Sequence, residues 1–431
     1  MADMFNSIQW CNADGPMAEQ SAEVIRTLLQ HGHEAYWVGG CVRDEYMGRR
    51  VSDMDITTSA LPEVTCSIFP KVIPTGIKHG TVTVLMGEQA FEVTTYRVES
   101  GYEDHRHPTE VSFVREVKED LRRRDFTMNA MARGIDGTWV DPFDGRADID
   151  KGLIRCVGDA RLRFREDALR MVRCIRFASV FGFSIAPHTW RGILSERDTI
   201  GWIALERIRS EFEKIIAGPS PLRGLEMFVR SGLHARMKVP FPYTGHDKDT
   251  IAAIDKIEPE QSWIRWSLLF LACGITAQEA ERLLRSWTFS NRQREAIVKL
   301  LKLHESYMHL PGDREAHSKI EWIRLVLALG AEAAQSWLHM QKVLKETGAG
   351  SISWDRIQQL EHWQRELQIR SLKDLAITGS ELLEALDKPR GPWLGELLGQ
   401  LLEKTAAGNI NNDKESLIDE AKRVVIHNEG I

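Results

Sequence analysis

Cysteine is scarce in this 431-residue chain. Its six copies (Cys11, Cys41, Cys66, Cys156, Cys174 and Cys273) form no Cys-x-x-Cys pair and have no histidine at zinc-site spacing. That spacing argues against a disulfide framework and against a zinc module. The thiols are expected as small buried side chains in a reducing, cytoplasmic setting. No run of eighteen or more apolar residues occurs, so no membrane span is expected. The first thirty residues lack the basic start and apolar centre of a signal peptide. Positive charge is not in excess either. Lys and Arg number 56 against 62 Asp and Glu, a formal net charge of −6, which weighs mildly against a nucleic-acid partner. No repeat of fixed period and no low-complexity segment is present.

What remains is ordinary globular composition, 43% hydrophobic and 27% charged, in a chain too long for one core and expected to form two to four domains. Charge is unevenly spread. Residues 151–180 hold eight Lys or Arg against three Asp or Glu, and residues 281–310 hold six against three, with Trp287 and Phe289 interleaved. Such a strip can bind one RNA segment even on an acidic protein; the alternative for each is a solvated helix face.

The N-terminal third reads as mixed α/β. Met17–Gln30 carries apolar residues at Met17, Ala22, Val24, Ile25 and Leu28 or Leu29, near helical spacing. Strands are expected at Ala35–Val38, Asp55–Thr57, Thr81–Met86 and Ala90–Tyr96, which are rich in β-branched and aromatic residues. From about Leu153 the pattern turns helical, with breaks at Gly182–Pro187, Gly218–Pro221, Val239–Gly245, Leu310–Asp313 and Gly348–Gly350.

The most informative stretch is Trp37–Ser59, "WVGGCVRDEYMGRRVSDMDITTS". Alternate residues of a strand point the same way, so Asp53 and Asp55 can present both carboxylates to one spot, a hard-oxygen site suited to Mg²⁺. Gly39 and Gly40 let the backbone approach a phosphate closely. Two further blocks follow: "EDLRRRDFTMNAMA" (Glu119–Ala132) with "DPFDG" (Asp141–Gly145), and "REDALRMVRCIRFASVFGF" (Arg165–Phe183). In order and spacing the three resemble the nucleotidyltransferase superfamily, and more closely the class II tRNA nucleotidyltransferases and their poly(A) polymerase relatives.

That resemblance implies an α+β fold: a nucleotidyltransferase head with a small mixed sheet, followed by an elongated all-α, multi-domain region. The expected divisions are a catalytic head at 1–152, a base-recognition neck at 153–217, a body at 218–308 and a tRNA-binding tail at 309–431. The implied reaction is stepwise addition of CCA to the tRNA 3′ end from CTP and ATP, releasing pyrophosphate. It uses Mg²⁺ in a two-metal site and no nucleic-acid template. A CC-adding or A-adding enzyme, a poly(A) polymerase and a catalytically silent RNA-binding protein are the alternatives. No membrane and no stable protein partner are expected.

In this reading Asp53 and Asp55 hold the metal, and Glu92 is a candidate third carboxylate. Gly40, Arg43 and Arg124 meet the triphosphate, Arg suiting oxygens through its planar fork. Three consecutive arginines, Arg122–Arg124, cannot all enter one site. Asp125 and Asn129, four apart on an expected helix, hold the arginines or touch the ribose. Asp167, Arg170, Arg173 and Arg176 recur at i, i+3, i+6 and i+9 along one expected helix face, with Ala168, Met171, Val172, Ile175 and Ala178 buried against the head. By resemblance Asp167 and Arg170 read the base, while Arg173 and Arg176 serve the triphosphate or order the pocket. The aperiodic segment Gly101–His107 resembles a mobile loop that resets specificity from C to A, with Asp104 and Arg106 its expected actors. Ala204–Ile216 resembles a bracing helix. Where some relatives carry a phosphohydrolase helix, Arg265–Ile275 has apolar residues, so that activity is not expected. Lys388–Leu398 resembles part of the tail of Bacillus-type CCA-adding enzymes. Its Arg390 is placed to touch RNA backbone, and Trp393 is expected to pack.

Overall fold

The computed structural model describes residues 8–102, 108–243, 247–310, 318–367 and 369–429. The chain divides into two compact units, Met1–Pro242 and Tyr243–Ile431.

The first unit opens with helix α1 (Gly15–Gln30), whose Met17, Ser21, Ala22, Val24, Ile25 and Leu28 are buried. These positions repeat every three or four residues, so one face lies on the sheet. The sheet has seven strands: β1 (Ala35–Val38), β2 (Ile56–Thr58), β3 (Val72–Gly76), β4 (Thr81–Met86), β5 (Gln89–Thr95), β8 (Ala132–Arg133) and β9 (Trp139–Val140). Their order is β3-β4-β5-β2-β1-β8-β9. All neighbours are antiparallel except β2 and β5, which pair in parallel through Ile56↔Val93. Helix α2 (Gly40–Tyr46) leaves β1 directly, and α3 (Pro62–Ile68) follows β2. Strand β3 was not among the expected strands; it contains Pro74 and lies at the edge of the sheet, where Pro is tolerated.

Strands β6 (Arg97–Tyr102) and β7 (Pro108–Phe113) pair antiparallel in a separate sheet. Of the loop expected over Gly101–His107, Gly101 and Tyr102 end β6 and residues 103–107 lie outside the described residues. Asp104 and Arg106 lie outside the described residues. Helix α4 (Val117–Arg122) then packs beneath β1 and β8, where Val38, Leu121, Ala130, Ala132 and Val157 form one buried cluster.

After α5 (Gly145–Asp150) come β10 (Leu153–Ile154), α6 (Ala160–Glu166), α7 (Leu169–Phe181), β11 (Ser184–Ile185), α8 (Pro187–Glu196), α9 (Leu205–Ile216) and α10 (Pro221–Ser231). The short parallel pair β10–β11 is the one sheet in this otherwise helical stretch. Met171, Val172, Ile175 and Ala178 are buried as expected, but α7 packs chiefly on α9 and α10 and less on the head.

The second unit contains helices α11 (Lys248–Ile254), α12 (Ser262–Ala272), α13 (Ala277–Ser286), α14 (Asn291–Met308) and α15 (Lys319–Leu329). It continues through α16 (Ala331–Glu346), α17 (Trp354–Arg365), α18 (Gly379–Leu386), α19 (Trp393–Ala406) and α20 (Lys414–Glu429). Capping boxes start three of them, at Thr276/Glu279, Ser318/Glu321 and Thr378/Glu381. Tyr307, Trp322 and Trp337 form an aromatic core, with ring centroids 4.7–6.0 Å apart. Trp287 and Phe289, read as aromatics interleaved in a basic strip, are 1% and 5% exposed and belong to the core. Among the described residues no helix is long and apolar enough to cross a membrane, and all six cysteines are free thiols, Cys11 being exposed.

Candidate functional site

A cleft of about 620 Å³ in the first unit gathers residues from segments far apart in sequence. Gly39, Gly40, Arg43, Asp44, Asp53 and Asp55 come from the β1–α2–β2 region. Arg123, Arg124, Asp125 and Asn129 follow α4, and Asp167, Arg170, Arg173, Arg176 and Phe177 come from α7 and the residues before it. Among the described residues, every expected metal, phosphate and base contact lines this cleft except the candidate third carboxylate, Glu92.

Asp53 and Asp55 lie just before β2, not within it. The alternation still holds: Met54 between them is buried at 3%, Asp53 is exposed and Asp55 half-buried. Burial and then the neighbouring Asp53 carboxylate push Asp55 up to about 6, with Arg124 opposing and Glu92 adding to the rise. Two crowded carboxylates with hard oxygens fit a divalent cation, whose charge would remove their mutual repulsion. Glu92 sits on β5 opposite Thr83, exposed and outside the cleft lining. Among the described residues no three acidic, histidine or cysteine side chains converge as a ready-made metal cluster.

The backbone at Gly39 explains why glycine stands there. Its φ is +77°, and a Cβ would come within 2.8 Å of Arg124 Nη1. Arg124 therefore rests against bare backbone. Its two neighbours diverge, as three consecutive arginines must. Arg122 is mostly exposed beside Glu119, whereas Arg123 turns to Glu99 of β6 at 2.9 Å and to Asp120 at 2.9 Å.

Asp125 and Asn129 are not on one helix; Asn129 ends a short 3₁₀ turn, Thr127–Asn129, and Asp125 precedes it. They still act together, because Asn129 Nδ2 donates to Asp125 Oδ1 at 3.0 Å. Arg173 donates twice to Asp125 Oδ2, and Arg43 donates to Asn129 Oδ1 at 2.5 Å and to both oxygens of Asp44. Burial alone would raise Asp125, but Arg173 and the Asn129 amide outweigh it and hold its carboxyl well below the usual range. Burial brings Arg176 down to about 10, Arg173 and Arg43 adding repulsion against the opposing pull of Glu211.

Asp167 departs from the expected helix face. It terminates α6 in extended backbone, φ −139°, and its Oδ1 accepts from Leu169 N ahead of α7. The break turns its carboxylate toward Arg207 of α9, whose Nη2 lies 3.0 Å away. Arg170 is in α7; it donates to Glu166 at 2.7 Å and to the Arg123 carbonyl at 3.1 Å. Sequence reading gave no site role to Asp44 and Phe177, and read Lys214 only as part of the bracing helix; all three line the cleft. It also left out Glu211, 5% exposed, which pairs with Arg176 at 2.5 Å and Lys214 at 3.4 Å. Arg207 was read only as part of a brace. A buried carboxylate inside an amphipathic helix carries no periodic signal, so only the partners' three-dimensional convergence shows it.

The profile "Poly A polymerase head domain" matches residues 35–155, "Probable RNA and SrmB- binding site of polymerase A" matches 182–242, and a tRNA nucleotidyltransferase domain 2 profile matches 257–421. CCA-adding enzymes of Geobacillus stearothermophilus and Bacillus cytotoxicus are each 38% identical, over 93% of this chain and 96% of the relative. The Bacillus stearothermophilus CCA-adding enzyme in complex with CTP superposes with a TM-score of 0.79 at 34% identity, covering 97% of this chain and all of the other. The Thermotoga maritima CCA-adding enzyme complexed with tRNA_CCA shares the fold, with a TM-score of 0.67 at 20% identity over 96% of this chain and 97% of the other. With sequence identity running through nearly the whole of both chains, this protein belongs to the class II bacterial CCA-adding enzymes, the CCA tRNA nucleotidyltransferases.

Proposed function

We propose that the enzyme adds C, C and A in turn to the 3′ end of tRNA from CTP and ATP, releasing pyrophosphate, and that protein side chains replace a nucleic-acid template. The observation that carries this reading is the cleft itself, where a carboxylate pair meets guanidinium groups drawn from three separated segments. The CTP held by the 34% identical structural relative, and the tRNA held by a relative of the same fold, support it.

Asp53 and Asp55 would hold Mg²⁺, which when bound supplies Lewis-acid activation of the RNA 3′-hydroxyl and stabilises the leaving pyrophosphate. Arg43, Arg124, Arg173 and Arg176 meet the triphosphate oxygens, and Gly40 leaves room for them. Asp167 and Arg170 read the Watson–Crick edge, since carboxylate and guanidinium complement the amino donor and ring acceptors of cytosine and, after a small rearrangement, adenine. An ionised carboxylate has about four lone-pair sites, so Asp167 can keep Arg207 and Leu169 N while accepting from a base. Asp104 and Arg106 act in the switch from C to A, and the helices of the second unit contact the body of the tRNA.

The test is incubation of the purified protein with tRNA lacking its 3′ end. CTP alone should extend it by two nucleotides, and added ATP by one more. Extension by a run of A from ATP alone, or no extension at all, would overturn the reading.

A further inference from the structure

Phe177 faces the cleft from α7 with 2% of its surface exposed, although nothing in nucleotidyl transfer calls for an aromatic ring there. Three guanidinium groups converge on that ring. The Cζ atoms of Arg176, Arg43 and Arg173 lie 3.9, 5.2 and 5.4 Å from its centroid. Phe181 stacks beside it at 5.4 Å with the rings 20° apart, and Phe126 meets it edge-on at 5.8 Å. Arg43 also lies 5.0 Å from the Phe181 ring.

Three like charges drawn together repel one another, and each is held by a carboxylate: Arg43 by Asp44, Arg173 by Asp125, Arg176 by Glu211. Glu211 also lies 3.9 Å from Arg173, but none of these carboxylates pairs with all three cations, whereas the ring lies against all three. An aromatic face attracts a guanidinium through its quadrupole and takes up none of its N–H donors. A guanidinium has five such donors; Asp44 and Asn129 engage three of Arg43's, and Asp125 engages two of Arg173's. A fourth carboxylate in place of the ring would gather the cations equally well, but would compete with phosphate for their charge.

We infer that Phe177 is a positioning residue for the triphosphate, gathering Arg43, Arg173 and Arg176 on one ring so that their remaining donors serve phosphate oxygens. Its effect falls equally on CTP and ATP and leaves base choice untouched, because Asp167 and Arg170 lie off the ring. The inference rests on the reading of the cleft as the nucleotide site.

The test uses the full-length protein and three ligands: CTP, ATP and inorganic pyrophosphate. Phe177→Leu should raise KM for CTP and ATP and Kd for pyrophosphate together, by about five- to thirty-fold. That is the range for loss of roughly 1–2 kcal/mol of cation–π attraction at tenfold per 1.4 kcal/mol. The preference for CTP over UTP should stay constant, and kcat should change far less than KM. Ring-fluorinated phenylalanines at position 177 keep the shape while draining the quadrupole, so they serve even where Phe177→Leu does not fold. KM and Kd should then rise in step with the number of fluorines. Unchanged binding across the fluorinated series, whatever happens to melting temperature, would make Phe177 a plain core residue and overturn the inference. Arg173→Ala separates the two ideas. If it weakens pyrophosphate binding and ring fluorination does not, only the role of Phe177 fails; if neither does, the cleft is not the triphosphate site.

Discussion

Arg173 grips Asp125 at two points, Nε at 2.9 Å and Nη2 at 2.7 Å from the same Oδ2. The other oxygen accepts from Phe126 N and Asn129 Nδ2. One buried carboxylate thus ties α7 to the arginine block after α4, and through Asn129 to Arg43.

That tie should be visible in stability. Removing one partner of a buried pair costs roughly 3–5 kcal/mol. Arg173 keeps some solvent contact and has Glu211 nearby, so Asp125→Asn should lie near the lower end, about 3 kcal/mol by urea unfolding. The pH dependence has a definite sign. Asp125 titrates below its unfolded value of about 3.9, so its contribution is whole above that pH and is lost as the pH falls further. The difference between wild type and Asp125→Asn should be flat from neutrality to about pH 5 and shrink below about pH 4. A gap that widened on acidification would contradict the assignment.

Base choice should respond to Asp167 and Arg170. Asp167→Ala or Arg170→Ala removes one half of the proposed edge contact, a loss of roughly 1–3 kcal/mol of discrimination, or about five- to a hundred-fold. Preference for CTP and ATP over UTP and GTP should fall by that order in single-nucleotide incorporation, with the Mg²⁺ requirement kept. Arg207→Ala should shift selectivity the same way but less, since Asp167 stays and loses only its orientation. Full selectivity in folded variants would place base choice elsewhere.

Gly39→Ala tests the close approach of Arg124. The positive φ adds about 1–3 kcal/mol of strain for a side chain, and the new methyl would lie only 2.8 Å from Arg124 Nη1. A lower melting temperature is expected together with a raised KM for both nucleotides. Raised KM without any loss of stability would mean that the backbone relaxes and only Arg124 moves.

Trp287→Ala distinguishes packing from stacking on RNA in the second basic strip. A buried Trp lost to a cavity costs about 3–5 kcal/mol, whereas Arg285→Ala, at a site 70% exposed, should change stability by no more than about 0.5 kcal/mol. Normal urea stability with lost tRNA affinity in Trp287→Ala would restore the stacking role.

Much of the fold was legible because its signals are local. Periodic burial in α1 and the β-branched strands depend on neighbours within a few residues. The paired aspartates and the arginine block were legible as motifs for the same reason. What escaped was set by distant partners. Asp167 looked helical by spacing until its Arg207 partner, forty residues on, came into view. Glu211 looked like any charge on an amphipathic helix, and Phe177 like any core aromatic. Strand β3 carries Pro74, which a strand accommodates at an edge position set by the rest of the sheet.

The central claim is that the cleft around Asp53 and Asp55 carries out both additions. Incorporation of CTP and of ATP by Asp53→Asn and Asp55→Asn, measured beside tRNA affinity, tests it most directly. The account predicts that incorporation of both nucleotides is lost while tRNA binding largely persists, since the proposed RNA contacts lie mostly in the helical part. Normal incorporation, or equal loss of turnover and tRNA affinity, would contradict it.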